Sequence, residues 1–201
     1  MRRTWVLWGV IVAVLICFPA ASEAAGWQVQ SVPTPTVQNG LLSSVSCTSA
    51  TECTAVGDGQ NNSGPQTLAE RWDGTGWSIQ TTPTPNNDAF LSSVSCPSST
   101  SCVAVGTIAG GQQTLAELWN GTSWSTVSTP NPGEGGVLSG VSCLSATDCV
   151  AVGYYDELSS DGYTVSQHAL AESWNGQSWS VQTTPEPAGS SNVQLSSVSC
   201  P

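Results

Sequence analysis

Residues Phe90–Gly106 read FLSSVSCPSSTSCVAVG, and the rest of the chain is organised around that stretch. It recurs as LLSSVSCTSATECTAVG over Leu41–Gly57 and as VLSGVSCLSATDCVAVG over Val137–Gly153. Its first half returns as NVQLSSVSCP at Asn192–Pro201. The first cysteines of successive copies are 49, 47 and 57 residues apart. Self-similarity at that period marks stacked supersecondary units, so the unit is read before any local feature.

A second landmark keeps step with the first. TLAERWDGTGWSIQTTPTP begins at Thr67, TLAELWNGTSWSTVSTPNP at Thr114 and ALAESWNGQSWSVQTTPEP at Ala169. Each unit therefore holds four short runs rich in Val, Thr and Trp, separated by Gly, Asn, Pro and Ser, which read as strands. In the first unit these are Leu42–Cys47, Cys53–Gly57, Thr67–Trp72 and Trp77–Thr82. Asp73-Gly74, Asn120-Gly121 and Asn175-Gly176 fall between the third and fourth runs, where a tight reversal needs tolerance of positive φ. No stretch beyond the N-terminal segment carries helical periodicity.

Four antiparallel strands per unit of this length fit a β-propeller blade. The pattern V-S-C-x5-C-x-A-V-G, L-A-E-x-W-[ND]-G-x-x-W-S, P-x-P resembles the Trp-rich propeller repeats of secreted, mostly uncharacterised bacterial proteins. That resemblance covers 27–201 and implies a fold, with no single activity attached. Kelch and Asp-box propellers do not match, because the paired glycines of one and the S-x-D-x-G-x-x-W spacing of the other are missing. The expected fold class is all-β, a propeller of four-stranded antiparallel blades that forms an open arc. Full blades are expected at about 41–85, 90–132 and 137–187, with a lone strand at 27–32 and the opening strand of a further blade at 194–201. GWQVQSVPTP at Gly26 aligns with GWSIQTTPTP at Gly76, so Trp27 stands for Trp77. On this reading Cys200 lacks a mate because the sequence stops inside a blade, as a truncated product or fragment would.

Arg2 and Arg3 precede an apolar run from Thr4 to Ala21, and small residues flank Glu23. This is the layout of a secretory signal peptide over 1–24, the rival being an uncleaved anchor. Cys17 does not make a lipoprotein signal, because bulky Ile16 occupies a position that requires a small residue. Cleavage after Ala24 leaves Arg71 as the one basic residue against thirteen of the fourteen acidic ones, with no lysine anywhere. Such a surface cannot neutralise phosphates, which excludes nucleic acid and, apart from the signal segment, an anionic membrane. The expected location is secreted or at the cell surface.

Cys47/Cys53, Cys96/Cys102 and Cys143/Cys149 form three C-x5-C pairs, each bracketing a turn between the first two strands of a unit. In an exported chain they read as local disulfides, whereas zinc would need tighter spacing and more histidine than His168. No metal ligand set is identified.

Strand alternation places the cysteine and Asn-Gly turns at one end of each blade. The loops between second and third strands share the other end, and their lengths vary. DGQNNSGPQ and TIAGGQQ give way to YYDELSSDGYTVSQH at 154–168, as variation on a fixed scaffold does at a recognition face. Tyr154, Tyr155, Asp156, Asp161, Tyr163 and His168 on that loop form the candidate ligand site. Aromatic rings beside carboxylates suit a glycan, and an extracellular protein is the other candidate partner. The bland alternative is a solvated insertion whose tyrosines cover the blade edge.

Glu70, Glu117 and Glu172 occupy one repeat position. They are either fold elements accepting hydrogen bonds from a neighbouring blade or a ring of carboxylates holding a cation such as Ca²⁺. The former is the reading adopted, and no cofactor is expected. Catalysis has no positive support: Arg71 alone cannot form an arginine cluster, and no G-x-S-x-G elbow accompanies His168. The expected function is a non-catalytic interaction or carbohydrate-binding module. Alternatives are the targeting part of a longer extracellular hydrolase, or a glycosidase-type enzyme using the repeat carboxylates. Peptide mapping without reduction is expected to recover Cys47–Cys53, Cys96–Cys102 and Cys143–Cys149; links between different units would defeat the blade organisation.

Overall fold

A computed structural model describes residues 31–32, 38–159 and 165–201. The proposed signal segment, Trp27 and most of the lone strand lie outside the described residues. What is described is all-β: twelve strands in three four-stranded antiparallel sheets, with a single 3₁₀ turn at Pro85–Asn87. Sheet one comprises β1 (Gln38–Ser49), β2 (Glu52–Asn61), β3 (Gly64–Trp72) and β4 (Trp77–Gln80) in that spatial order. Sheet two comprises β5 (Ala89–Ser98), β6 (Ser101–Ile108), β7 (Gln113–Trp119) and β8 (Trp124–Val127). Sheet three comprises β9 (Gly135–Ser145), β10 (Asp148–Leu158), β11 (Val165–Trp174) and β12 (Trp179–Gln182). None of the sheets closes on itself.

The strands run longer than the apolar pattern suggests. β10 and β11 pair from Cys149–Trp174 out to Leu158–Val165, so most of 154–168 is a β-hairpin and not a loop. β2 and β3 likewise stay paired out to Asn61–Gly64. Once two antiparallel strands are in register, polar residues extend the ladder at no loss, because each new backbone pair satisfies itself. Apolar alternation marks only the buried part of such a hairpin.

Each Asn-Gly or Asp-Gly step makes the turn expected of it. Gly74, Gly121 and Gly176 have φ of 92°, 95° and 90°. The residue before each glycine folds its side chain back over the turn. Asp73 Oδ1 accepts from the N–H groups of Thr75 and Gly76, Asn120 Oδ1 from Thr122 and Ser123, and Asn175 Oδ1 from Gln177 and Ser178. The tryptophans on either side pack in pairs, with ring centroids 5.6–5.8 Å apart. In the same row across each sheet, disulfides join Cys47 to Cys53, Cys96 to Cys102 and Cys143 to Cys149. These three bonds belong to an oxidising environment. No helix among the described residues is long and apolar enough to cross a membrane.

The glycine of A-V-G has a mechanical cause. The first strand of every sheet carries a bulge whose extra residue is Ser43, Ser92 or Ser139. The bulge tips a carbonyl onto the second strand. A Cβ at Gly57, Gly106 or Gly153 would stand 1.9, 1.9 and 1.8 Å from the carbonyl oxygens of Leu41, Phe90 and Val137. Only glycine fits.

The sheets stack in chain order. β5 lies across β1, β2 and β3, and β9 lies across β5, β6 and β7. Val56 and Ala69 of sheet one meet Leu91, Val94, Ala104, Leu115, Trp119 and Trp124 of sheet two in one apolar cluster. Val103, Val105 and Ala116 of sheet two meet Leu138, Val141, Ala151, Leu170, Trp174 and Trp179 of sheet three in a second. Serines tie each junction. The N–H groups of Val94 and Cys96 donate to Ser44 Oγ and Ser46 Oγ at 3.2 and 3.0 Å. Those of Val141 and Cys143 donate to Ser93 Oγ and Ser95 Oγ at the same distances. Cys200 N–H continues the series to Ser142 Oγ at 3.0 Å. Residues 194–201 thus follow the path of an opening strand across sheet three, without a strand ladder of their own.

Gly106→Ala is expected to destabilise the chain by ~3 kcal/mol or more, since the bulge carbonyl must move before any side chain fits. Chemical denaturation checks this, with Gly76→Ala as the control: nothing stands within 4 Å of a Cβ at that position.

Candidate functional site

The candidate residues on the third hairpin divide between its two faces. Tyr155 sits directly opposite His168 across β10 and β11, and their rings stack with centroids 5.2 Å apart at 26°. Tyr154 and Asp156 alternate onto the other face of β10. Asp156 Oδ2 comes within 3.0 Å of where a Cβ on Gly135 would stand, and its Oδ1 is buried without a partner. Asp161 and Tyr163 lie outside the described residues. The structure therefore brings together Tyr155 and His168 and separates Tyr154 and Asp156 from them.

Two carboxylates complete the site. His168 Nε2 is 3.3 Å from Glu157 Oε2, and His168 Nδ1 is 3.1 Å from Glu186 Oε2. Both contacts are hydrogen bonds at once only in the imidazolium form, in which both nitrogens carry protons. Glu186 is held below the usual carboxylate range by its hydrogen bond with His168, and next by the Ala169 N–H, which donates to Oε1 at 2.7 Å. Tyr155 is pushed up by burial, and further by the negative charges of Glu157 and Glu186. A cavity of about 330 Å³ opens beside this group, lined by Tyr155, His168, Val181, Thr184 and Glu186 among others.

Glu186 escapes a reading that looks only at loops, because it belongs to the P-x-P linker after β12. Comparison of the repeats exposes it. Its counterpart Asn131 accepts from Thr114 N–H at 2.8 Å, as Glu186 does from Ala169. The two linkers do the same backbone work, but only the third supplies a second oxygen to an imidazole. Sheet two carries a similar notch of about 300 Å³, lined by Ile108, Gln113, Thr114 and Asn131. Register places Ile108 and Gln113 where Tyr155 and His168 stand in sheet three. The notch is a property of the repeat; its aromatic, imidazole and carboxylate lining belongs to the third unit.

The repeat carboxylates are elsewhere. Glu70, Glu117 and Glu172 lie on β3, β7 and β11, the third strand of each sheet, and are at most 1 % exposed. Glu117 stands in register with Ala104 and Thr126, and Ala104 with Val94, within the apolar junction to sheet one. Neither carboxyl oxygen of Glu117 or Glu172 has a hydrogen-bond partner, nor does Glu70 Oε2. They do not tie the sheets by accepting hydrogen bonds, as the sequence suggested; the serines do that. Nor do they converge, since no group of three metal-ligating side chains lies together among the described residues. Burial pushes Glu117 and Glu172 up to about 8, and raises Glu70 as well.

No family model matches the chain, and no curated protein resembles it in sequence.

A carboxyl whose folded pKa is raised stabilises the fold below its unfolded pKa, and that contribution is lost as pH rises through the folded value. The chain is therefore expected to lose stability between pH ~5 and pH ~8 as ionisation drains Glu117 and Glu172 of their protons. Denaturation midpoints across that range check this, and the double variant Glu117→Gln, Glu172→Gln should flatten the dependence. A flat profile in the parent chain would show that these groups do not titrate with folding.

Proposed function

We propose that this chain is a secreted, non-catalytic module of the Trp-rich propeller-repeat type that binds a carbohydrate at the Tyr155–His168–Glu186 notch. The observation that carries the reading is the third notch's departure from the repeat. Its backbone geometry matches that of sheet two, while its lining gains an aromatic ring, an imidazole and the Glu186 carboxylate, with Glu157 against the other imidazole nitrogen. Carboxylates and a phenol beside a shallow cavity can accept from and donate to sugar hydroxyls, with Val181 and the Tyr155 ring giving apolar contact. The acidic surface favours a neutral glycan over an anionic one. Disulfides and the N-terminal signal pattern support export, and three stacked four-stranded sheets with serine-tied junctions support a propeller-type arc.

A glycosidase reading finds less support. Its general acid needs a raised pKa beside the substrate. Glu186, which lines the notch, is lowered, whereas Glu117 and Glu172, which are raised, are fully buried.

A glycan array followed by calorimetry on the best neutral oligosaccharide tests the proposal. Tyr155→Ala and His168→Ala are each expected to weaken binding at least ~10-fold, with the folding transition retained. Glu186→Gln keeps an oxygen for Ala169 N–H but loses the charged contact with His168, so it should weaken binding less. Unchanged binding in the first two variants would move the site elsewhere, and turnover of a glycoside panel would replace the non-catalytic reading.

A further inference from the structure

One face of sheet one is open along β1 and at Trp77, where its counterparts in sheets two and three are covered, although Ala55 and Leu68 at its centre are buried. Val94 and Val141 are 5 % and 7 % exposed, whereas the equivalent Val45 is 59 % exposed. Leu91 and Leu138 are buried at 1 % and 0 %, whereas Leu42 is 40 % exposed. Trp124 and Trp179 are buried; Trp77 is only half-buried. A mostly apolar hollow of about 370 Å³ lies on this face, lined by Leu42, Val45, Ala55 and Trp77 with two serines. In sheets two and three this surface is where the preceding sheet packs.

The hydrogen-bonding pattern repeats the asymmetry. The amides of Val94 and Val141, and of Cys96 and Cys143, each meet a serine hydroxyl of the preceding sheet. Val45 and Cys47, at the same repeat positions, meet none among the described residues. The matching hydroxyls stand at the other side of the stack. Ser197 and Ser199 correspond to Ser44 and Ser46 in L-S-S-V-S-C, and both are exposed. The segment bearing them is held on sheet three by Leu195 N–H to Gly153 O at 3.1 Å and Cys200 N–H to Ser142 Oγ. It sits on sheet three as an opening strand would and turns its serines outward.

We infer that the open face of sheet one docks the Leu195–Cys200 segment of a second copy of this chain, head to tail. Ser197 Oγ and Ser199 Oγ of one copy accept from Val45 N–H and Cys47 N–H of the next, while Leu42, Val45 and Trp77 lose their exposure. The two surfaces differ, so the contact is heterologous: copies add in one direction and stop only where a ring closes. The serine-to-amide bonds are those of the two junctions already inside the chain.

The test uses the full chain produced by export, with Cys200→Ser to exclude an intermolecular disulfide. Sedimentation velocity should show association that grows with concentration up to ~100 μM. The pair Leu42→Asp, Val45→Asp removes one surface, and the pair Ser197→Arg, Ser199→Arg removes the other. Each variant alone should sediment as a monomer, while an equimolar mixture should form a one-to-one dimer, because one intact surface of each kind remains. The milder pair Ser197→Ala, Ser199→Ala should raise the dissociation constant about 10-fold, and it serves if a charged variant fails to fold. A parent chain that is monomeric throughout, a variant that self-associates as the parent does, or a mixture that stays monomeric would each overturn the proposal.

Discussion

The stack depends on how the first strand of one sheet satisfies its outward amides. That strand is an edge, and its free N–H groups would otherwise face an apolar neighbour. The preceding sheet is face-on, so its own backbone cannot extend the ladder to them. A serine one sheet back is short enough to place an oxygen there without a second layer of side chain. Each such bond contributes about 1 kcal/mol, but leaving the amide buried and unpaired would cost as much or more. The alternation S-x-V-S-C therefore does two things at once. Its serines accept from the next sheet, and its valine and cysteine amides donate to the previous one. Val198 shows what happens when the partner changes: Gly140 replaces the serine, and its Cβ position is already within 3.4 Å of Val198 N.

Dense packing at those junctions explains the state of Glu117 and Glu172. With Leu, Val and Trp around it, an ionised Glu117 would have neither water nor a donor to stabilise its charge. The group keeps its proton instead and behaves as a polar but neutral filler. Arg71 gives the contrasting solution at the same junction. Its guanidinium lies 4.9 Å over the Trp119 ring and donates from Nη2 to Ser99 O at 3.0 Å. A permanent cation has been given an aromatic face and a carbonyl; Glu117 and Glu172 have no such partner, and burial pushes them up to about 8.

Much of the architecture was legible because it rests on local chemistry. Cysteines six residues apart must bridge a hairpin, Asn-Gly must turn, and a glycine in A-V-G must sit beneath something. The serine ties were not legible, since the recurring S-S-V-S-C stretch shows that the serines repeat but not that each meets an amide 48 or 50 residues further on. The hairpin at 154–168 was misread as a loop because its outer half is mostly polar, so that no apolar alternation marks the strands there. Tyr155 and His168 were found by composition, and their stacking follows from that same pairing. Tyr154 and Asp156, one position off register, fall on the opposite face for the reason that every β-strand alternates.

Glu186 shows how a repeat acquires chemistry without rebuilding its frame. In the second and third units the linker oxygen at this position accepts from the first amide of the third strand's buried half, Asn131 from Thr114 and Glu186 from Ala169. An Asn side chain has one oxygen, and here Thr114 Oγ1 also takes it, at 3.2 Å. Replacing Thr by Ala169 removes that competing hydroxyl, and replacing Asn by Glu186 adds a second oxygen and a longer reach. Oε1 then keeps the backbone bond while Oε2 reaches His168, and Tyr155 in place of Ile108 closes over the imidazole. Each substitution is tolerable singly, because the backbone acceptor is never lost. Together they convert a structural notch into one that presents a fixed ring and oriented charge.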